Sequence, residues 1–275
     1  MARHKKTLQM LAAAREVLEV NHPMTVRQVY YQLVSRQVIE NKQSCYKAVS
    51  KLLVQARQEG EIAWEWIEDR LREPRRISMW EGLPDFAETA RAAYRRNVWH
   101  TQPCYIECWL EKDALSGIFE GILQAYGVTL NVGRGYDGWD SIHNASIRYG
   151  NGENVTVLYY GDLDPSGEDM VRSLRERLGS FGCCPDIIKV ALTLQDVEEY
   201  ELPPDPAKTT DTRRAAFVEK YGDISVELDA LPVDALRQRI VAEVEARMDL
   251  EALARVGAKE DEERGKLVEL LAGAE

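Results

Sequence analysis

No stretch of this 275-residue chain is apolar for long enough to span a bilayer, which takes about 20 consecutive residues. The opening MARHKK lacks the apolar segment and cleavage site of a secretory leader, so a cytoplasmic protein is expected. Cysteine is scarce and odd in number: five, at Cys45, Cys104, Cys108, Cys183 and Cys184. That fits a reducing compartment better than a disulfide framework. Cys104 and Cys108 fall in an expected strand and Cys183 and Cys184 are adjacent, so neither pair has the spacing of a zinc finger. Also missing is any G-x-x-x-x-G-K-[ST] loop, and with it any recognisable ATPase module.

What is present suits a soluble globular protein large enough for two domains, with 45% apolar residues. The net charge of -11 argues at first against a nucleic-acid partner. It is unevenly spread, however: residues 1–100 hold 17 Lys and Arg against 12 Asp and Glu, and residues 101–275 hold 18 against 34. A basic first part can track phosphates while an acidic second part holds cations.

Residues 24–36, MTVRQVYYQLVSR, read as a helix started by Pro23 and capped by Thr25. Val26, Val29, Tyr30 and Leu33 form its core-facing stripe at i, i+3, i+4, i+7 spacing. Tyr31 falls roughly 150° from the centre of that stripe, with Arg27 one turn earlier on the same side. An outward-facing tyrosine beside a guanidinium is therefore expected. A phenol, whose pKa is near 10, needs such neighbouring positive charge to attack a phosphodiester. An amphipathic helix over 8–20 precedes this one, and a second follows the turn at 40–43, running over 44–59 to Gly60. Cys45, Ala48, Val49, Leu52, Leu53 and Ala56 make its apolar face; Lys47, Ser50, Lys51, Arg57 and Gln58 make a basic polar one. The pair has the form of a helix-turn-helix reader, with Lys47, Lys51 and Arg57 as DNA contacts. IAWEWI (62–67) alternates like a hairpin strand, the wing of a winged helix. Residues 68–103 read as a connector with a helix over 85–96, and its Arg70, Arg72, Arg75, Arg76, Arg95 and Arg96 extend the basic surface.

From Cys104 strands and helices alternate, placing a domain boundary near residue 100 (1–100 and 101–275). Strands are expected at 105–110, 128–132, 155–160 and 186–192, with Asp164 and Pro165 opening the helix after the third. Such alternation predicts an α/β parallel sheet with ligands at the strands' carboxyl ends. Glu111, Asp162 and Asp164 all stand where a strand hands over to a helix. Three carboxylates gathered at one edge call for a cation, and oxygen donors suit Mg²⁺, which can stabilise phosphoryl-transfer oxygens.

WLEKDAL (109–115) and GDLDPSG (161–167) resemble the two acidic motifs of a Toprim domain. Together with TVRQVYY (25–31), the GRGYDG turn (133–138) and VELDAL (226–231), they are similar in order to the A subunit of topoisomerase VI and the related meiotic double-strand-break transesterase. The resemblance implies a winged-helix domain followed by a Rossmann-like Toprim domain, acting on double-stranded DNA as a homodimer in which one subunit's tyrosine works beside the other's metal site. It implies that Tyr31 forms a 5′-phosphotyrosyl bond, that Arg27 assists at the phosphate, and that Glu111, Asp162 and Asp164 hold Mg²⁺. A nucleoid-associated location and a separate ATPase (B-type) subunit follow from it, unless the chain only cleaves and reseals. Two rival expectations stand beside it: a Toprim nuclease that hydrolyses DNA without the tyrosine, and a non-catalytic DNA-binding module. The acidic tail from residue 249, with helical stretches either side of Gly257, reads as a solvated amphipathic end, with dimerisation or the ATPase partner as its alternative role.

Overall fold

Four runs of the second half carry apolar side chains on alternate residues toward both sides, the pattern of strands buried on two faces. In the computed structural model, which describes residues 5–68, 77–133 and 138–272, they pair into one parallel sheet. The helical part comes first: α1 (Lys5–Asn21), α2 (Val26–Ser35), α3 (Gln43–Gln58) and α4 (Leu83–Ala93). Then follow β1 (Tyr105–Leu110), α5 (Ser116–Leu123), β2 (Thr129–Val132), α6 (Trp139–Tyr149), β3 (Val155–Tyr160), α7 (Pro165–Gly179) and β4 (Asp186–Ala191). The chain continues through α8 (Leu194–Glu199), α9 (Arg214–Tyr221), α10 (Val233–Glu245) and α11 (Leu250–Ala272).

The strand order is β2-β1-β3-β4. Ile106, Cys108, Leu110, Leu158 and Tyr160 face a core shared with α5, α10 and the helices of the first part. Trp109, Val155, Val157 and Tyr159 face the other way, toward α6 and α7. Because β2 and β3 lie on opposite sides of β1, the connections diverge between β1 and β3, and a crevice opens at the carboxyl ends of these two strands. Among the described residues no helix is long and apolar enough to cross a membrane.

α2 is placed between two bodies of structure. Thr25 caps it with a full capping box, its side chain accepting from the Gln28 amide while Gln28 Oε1 accepts from the Thr25 amide. Val29 and Leu33 pack into the helical trio, and the opposite side packs on the 3-10 turn at Leu228–Ala230. Gln28, Tyr31 and Gln32 are consequently buried as well.

Two expectations need correction here. Residues 62–67 do not form a strand: Trp64–Trp66 is a 3-10 turn, and a single bridge joins Met24 to Ile67. The alternation arises because the indoles serve separate contacts, His22 stacking on Trp66 at 5.0 Å and the Arg57 guanidinium lying over Trp64 at 4.9 Å. The partner strand of a wing would fall at 69–76, which, with Arg70, Arg72, Arg75 and Arg76, lies outside the described residues. The tail is not a solvated end in two pieces. α11 runs through Gly257 without a break and packs on α4, where Tyr94 Oη donates to Glu263 at 2.6 Å and Arg96 pairs with the same carboxylate at 2.6 Å.

Candidate active site

The sheet ladder does not stop at the last strand residue. The Glu111 amide donates to the Tyr160 carbonyl at 2.9 Å and the Gly161 amide to the Ala191 carbonyl at 2.8 Å, so Glu111 and Asp162 emerge side by side at the crevice. There Glu111 Oε2 accepts from the Asp162 amide at 2.9 Å. That approach depends on Gly161, where a Cβ would stand 2.5 Å from the carboxylate oxygen and 2.7 Å from the Tyr159 ring. Asp162 Oδ1 accepts from the Leu228 amide at 2.7 Å. Lys189 braces the turn from below, donating to the Asp162 carbonyl at 2.9 Å and to Glu168 at 2.5 Å.

Asp164 does what its position before Pro165 suggests: its Oδ1 accepts from the Gly167 amide at 2.6 Å and caps α7. It is thereby directed at the helix it starts. Glu111 and Asp162 meet, whereas among the described residues no three acidic, histidine or cysteine side chains stand together as a ready metal site.

Lys112 reaches into this crevice. Its ammonium, nearly buried, lies 3.0 Å from Asp162 Oδ1, 2.7 Å from Glu227 Oε2 and 2.8 Å from Asp229 Oδ2. Arg27 also pairs with Glu227 and lies 3.7 Å from Asp229. The expectation that Tyr31 faces outward is overturned: it is 9% exposed, because the side of α2 that the helical trio leaves free is covered by residues 226–231 and by Lys112. The Arg27 guanidinium lies 5.5 Å and the Lys112 ammonium 6.0 Å from the centre of its ring, and the Glu227 carboxylate lies close enough to its hydroxyl to act on its charge. Tyr30, the other tyrosine, is tied off structurally, donating to Asn41 Oδ1 at 2.8 Å. Tyr31 thus meets the acidic crevice of its own chain, whereas the resemblance implies that of a partner.

These contacts set the charge states. Burial first, and then the Glu227 carboxylate, push the Tyr31 hydroxyl well above the usual phenol range, against the opposing effect of Arg27 and Lys112. Burial likewise pushes Asp162 up to about 7 and raises Glu111. Glu227 moves the other way: burial opposes its charge, but Lys112, Tyr31 and Arg27 together bring it down to about 2. Burial opposes the charge of Lys112 too, yet Asp229, Asp162 and Glu227 hold it firmly protonated. Two cations therefore face Asp162, Glu227 and Asp229, with Glu111 behind them.

On α3, Val49, Leu52, Leu53 and Ala56 are buried as expected, though Ala48 is exposed. Lys47 and Lys51 are exposed and flank a shallow groove with Tyr46, Ser50 and Val54. Arg57 does not join them; it is turned back onto Trp64, with its Nε donating to the Leu53 carbonyl at 3.3 Å. The GRGYDG turn contributes Gly133, whose amide donates to the Leu110 carbonyl at 2.7 Å, and Gly138, which precedes α6; residues 134–137 lie outside the described residues.

Sequence reasoning assigned no role to Lys112, Lys189, Glu227 or Asp229. Lys112 lies inside WLEKDAL, and Glu227 and Asp229 lie inside VELDAL, so both motifs contained the signal without its pairing. No protein-family model matches the chain, and no curated protein is significantly similar to it in sequence.

Proposed function

We propose that the chain is a Mg²⁺-dependent DNA transesterase of the topoisomerase VI A-subunit kind, with a winged-helix-type first part and a Toprim-type sheet. One observation carries this reading: the Tyr31 hydroxyl, Arg27 and Lys112 converge on the edge of the sheet where Glu111 and Asp162 meet. Tyr31 Oη attacks the phosphorus of a phosphodiester, the bond to the 3′ oxygen breaks, and the 3′ hydroxyl leaves with a proton while a 5′-phosphotyrosyl bond remains. Arg27 and Lys112 balance charge on the phosphoryl oxygens. Glu111 and Asp162, neighbouring carboxylates of which the first is half-buried and the second buried, have the donor chemistry for a hard divalent cation, with the second oxygen of Asp164 nearby in sequence as a further donor. Bound there, Mg²⁺ would supply Lewis-acid stabilisation of the phosphoryl and leaving oxygens. The exposed Lys47 and Lys51 of α3 hold the duplex by its phosphates. A homodimer would cut both strands, and a separate ATPase subunit would be needed for strand passage.

The test is incubation of purified protein with supercoiled plasmid and Mg²⁺, quenched with detergent. Nicked or linear DNA carrying protein on its 5′ ends is expected, and none with Tyr31→Phe. Mixing Tyr31→Phe with Glu111→Gln subunits then locates the site within the dimer. Tyrosine and acids acting within one chain give no restored nicking, whereas a shared site gives single-strand nicks.

A second reading, a metal-dependent nuclease that spares the tyrosine, is favoured by the burial of Tyr31 and by the Glu227 carboxylate near it, both of which disfavour the phenolate. It predicts free 5′ ends and cleavage that survives Tyr31→Phe.

A further inference from the structure

A phosphodiester brought to Tyr31 would need the partners that the Glu227 carboxylate already has. Its Oε2 takes the Lys112 ammonium at 2.7 Å and the Arg27 guanidinium, with Tyr31 alongside: two cations gathered on a single anion next to the tyrosine. Asp229 also neutralises Lys112, but its position differs. Its side chain is fully enclosed in the 3-10 turn after Glu227, whereas the Glu227 side chain is 36% exposed. Asp229 is fixed in place and Glu227 can swing into water. Glu227 follows Val226, which is bonded in both directions to Leu163 inside the GDLDPSG turn, at 2.9 and 3.0 Å. The carboxylate is thus held in register with the acidic crevice by the backbone itself. Among the described residues Asp162, Glu227 and Asp229 face Lys112 and Arg27, three carboxylates against two cations, so with Glu227 in place a phosphate meets net negative charge.

We infer that Glu227 is a built-in substitute for the DNA phosphodiester, plugging an anion slot made by Tyr31, Arg27 and Lys112 until DNA displaces it. The inference deepens the transesterase reading and rests on it for the identity of the anion. It makes Lys112 a substrate-contacting residue and Glu227 an autoinhibitory one. Withdrawal of the carboxylate changes three things together: it removes a negative charge that opposes ionisation of the Tyr31 hydroxyl, frees Arg27 and Lys112 for the phosphate, and lowers the negative charge of the crevice.

The experiment measures binding of a fluorescent 20-base-pair duplex to the full chain in EDTA, where cleavage is off. Glu227→Gln should bind about tenfold more tightly than wild type, the scale of one charge-assisted contact. Glu65→Gln, which removes one exposed charge elsewhere in the first part, controls for net charge and should change binding less than twofold. In an Arg27→Ala background the gain from Glu227→Gln should fall to the level of that control. Glu227→Asp, which keeps the charge but shortens the reach, should show part of the gain and covers the case in which the Gln variant does not fold. Gains no larger than the Glu65→Gln control, or a gain undiminished by Arg27→Ala, would overturn the inference. Protein-linked cleavage without a selective gain would leave the transesterase standing and remove the plug. A selective gain with no protein-linked ends would keep the slot and remove the transesterase.

Discussion

Glu107 on β1 and Glu111, the first residue past its end, lie four positions apart, and they are treated in opposite ways. Glu107, with no exposed surface, has donors on both oxygens: Arg148 Nε at 2.6 Å and Nη2 at 3.0 Å, Tyr105 Oη at 2.8 Å, Tyr149 Oη at 2.5 Å and Asn131 Nδ2 at 2.5 Å. The Arg148 guanidinium is held more firmly protonated by those bonds to Glu107, and the Tyr149 hydroxyl is pushed up by burial and by the same carboxylate. Glu111, just past the other end of the strand, accepts from one backbone amide and lies within the electrostatic reach of Asp162 and Asp164. A buried charge surrounded by donors is architecture; one beside a second acid gains from a cation brought from outside. The contrast is between an acid whose charge is fully matched and one whose charge its surroundings disfavour.

The sharpest way to break the contrast is at Glu107. Glu107→Ala opens a cavity in the sheet and strips the acceptor from the buried Tyr149 hydroxyl, from Tyr105 and from Arg148, and should cost about 3 kcal/mol in urea unfolding. A loss below about 1 kcal/mol would mean that the network is not structural. Gly161→Ala comes next. The added methyl meets the Glu111 carboxylate and the Tyr159 ring, and about 2 kcal/mol of overpacking is expected in the same measurement, together with loss of cleavage. Smallest in stability is Glu111→Gln, which removes a charge that its surroundings disfavour. Without metal the fold should be unchanged or gain up to about 1 kcal/mol, while the rise in melting temperature produced by Mg²⁺ disappears. A Mg²⁺ shift that survives would remove Glu111 from the metal set.

Much of the sheet was legible because buried parallel strands are written as short apolar runs. The expected bounds 105–110 and 155–160 are those of β1 and β3, and Asp164 and Pro165 open α7 by local chemistry alone. The helical wheel of α2 misplaced Tyr31 because periodicity finds one buried face, and this helix has two. The second is supplied by residues about 200 positions away, as in the Gln32 to Leu231 hydrogen bond. The same distance hid Lys112 from Glu227 and Asp229: each looks like an ordinary surface charge until the fold sets them against one another. At 62–67 a period-2 pattern was satisfied by two tryptophans with unrelated partners, and at Gly257 a helix with α4 to lean on tolerated a residue that usually ends one.

α2, walled in on both sides, has a thermodynamic consequence. A duplex held on the neighbouring α3 and a cation held at the ends of β1 and β3 would both act on the position of this one helix. If DNA raises the affinity for the cation by some factor, the cation must raise the affinity for DNA by the same factor. The two ligands would then report on each other, and titrating either in the presence of the other measures the coupling carried by α2.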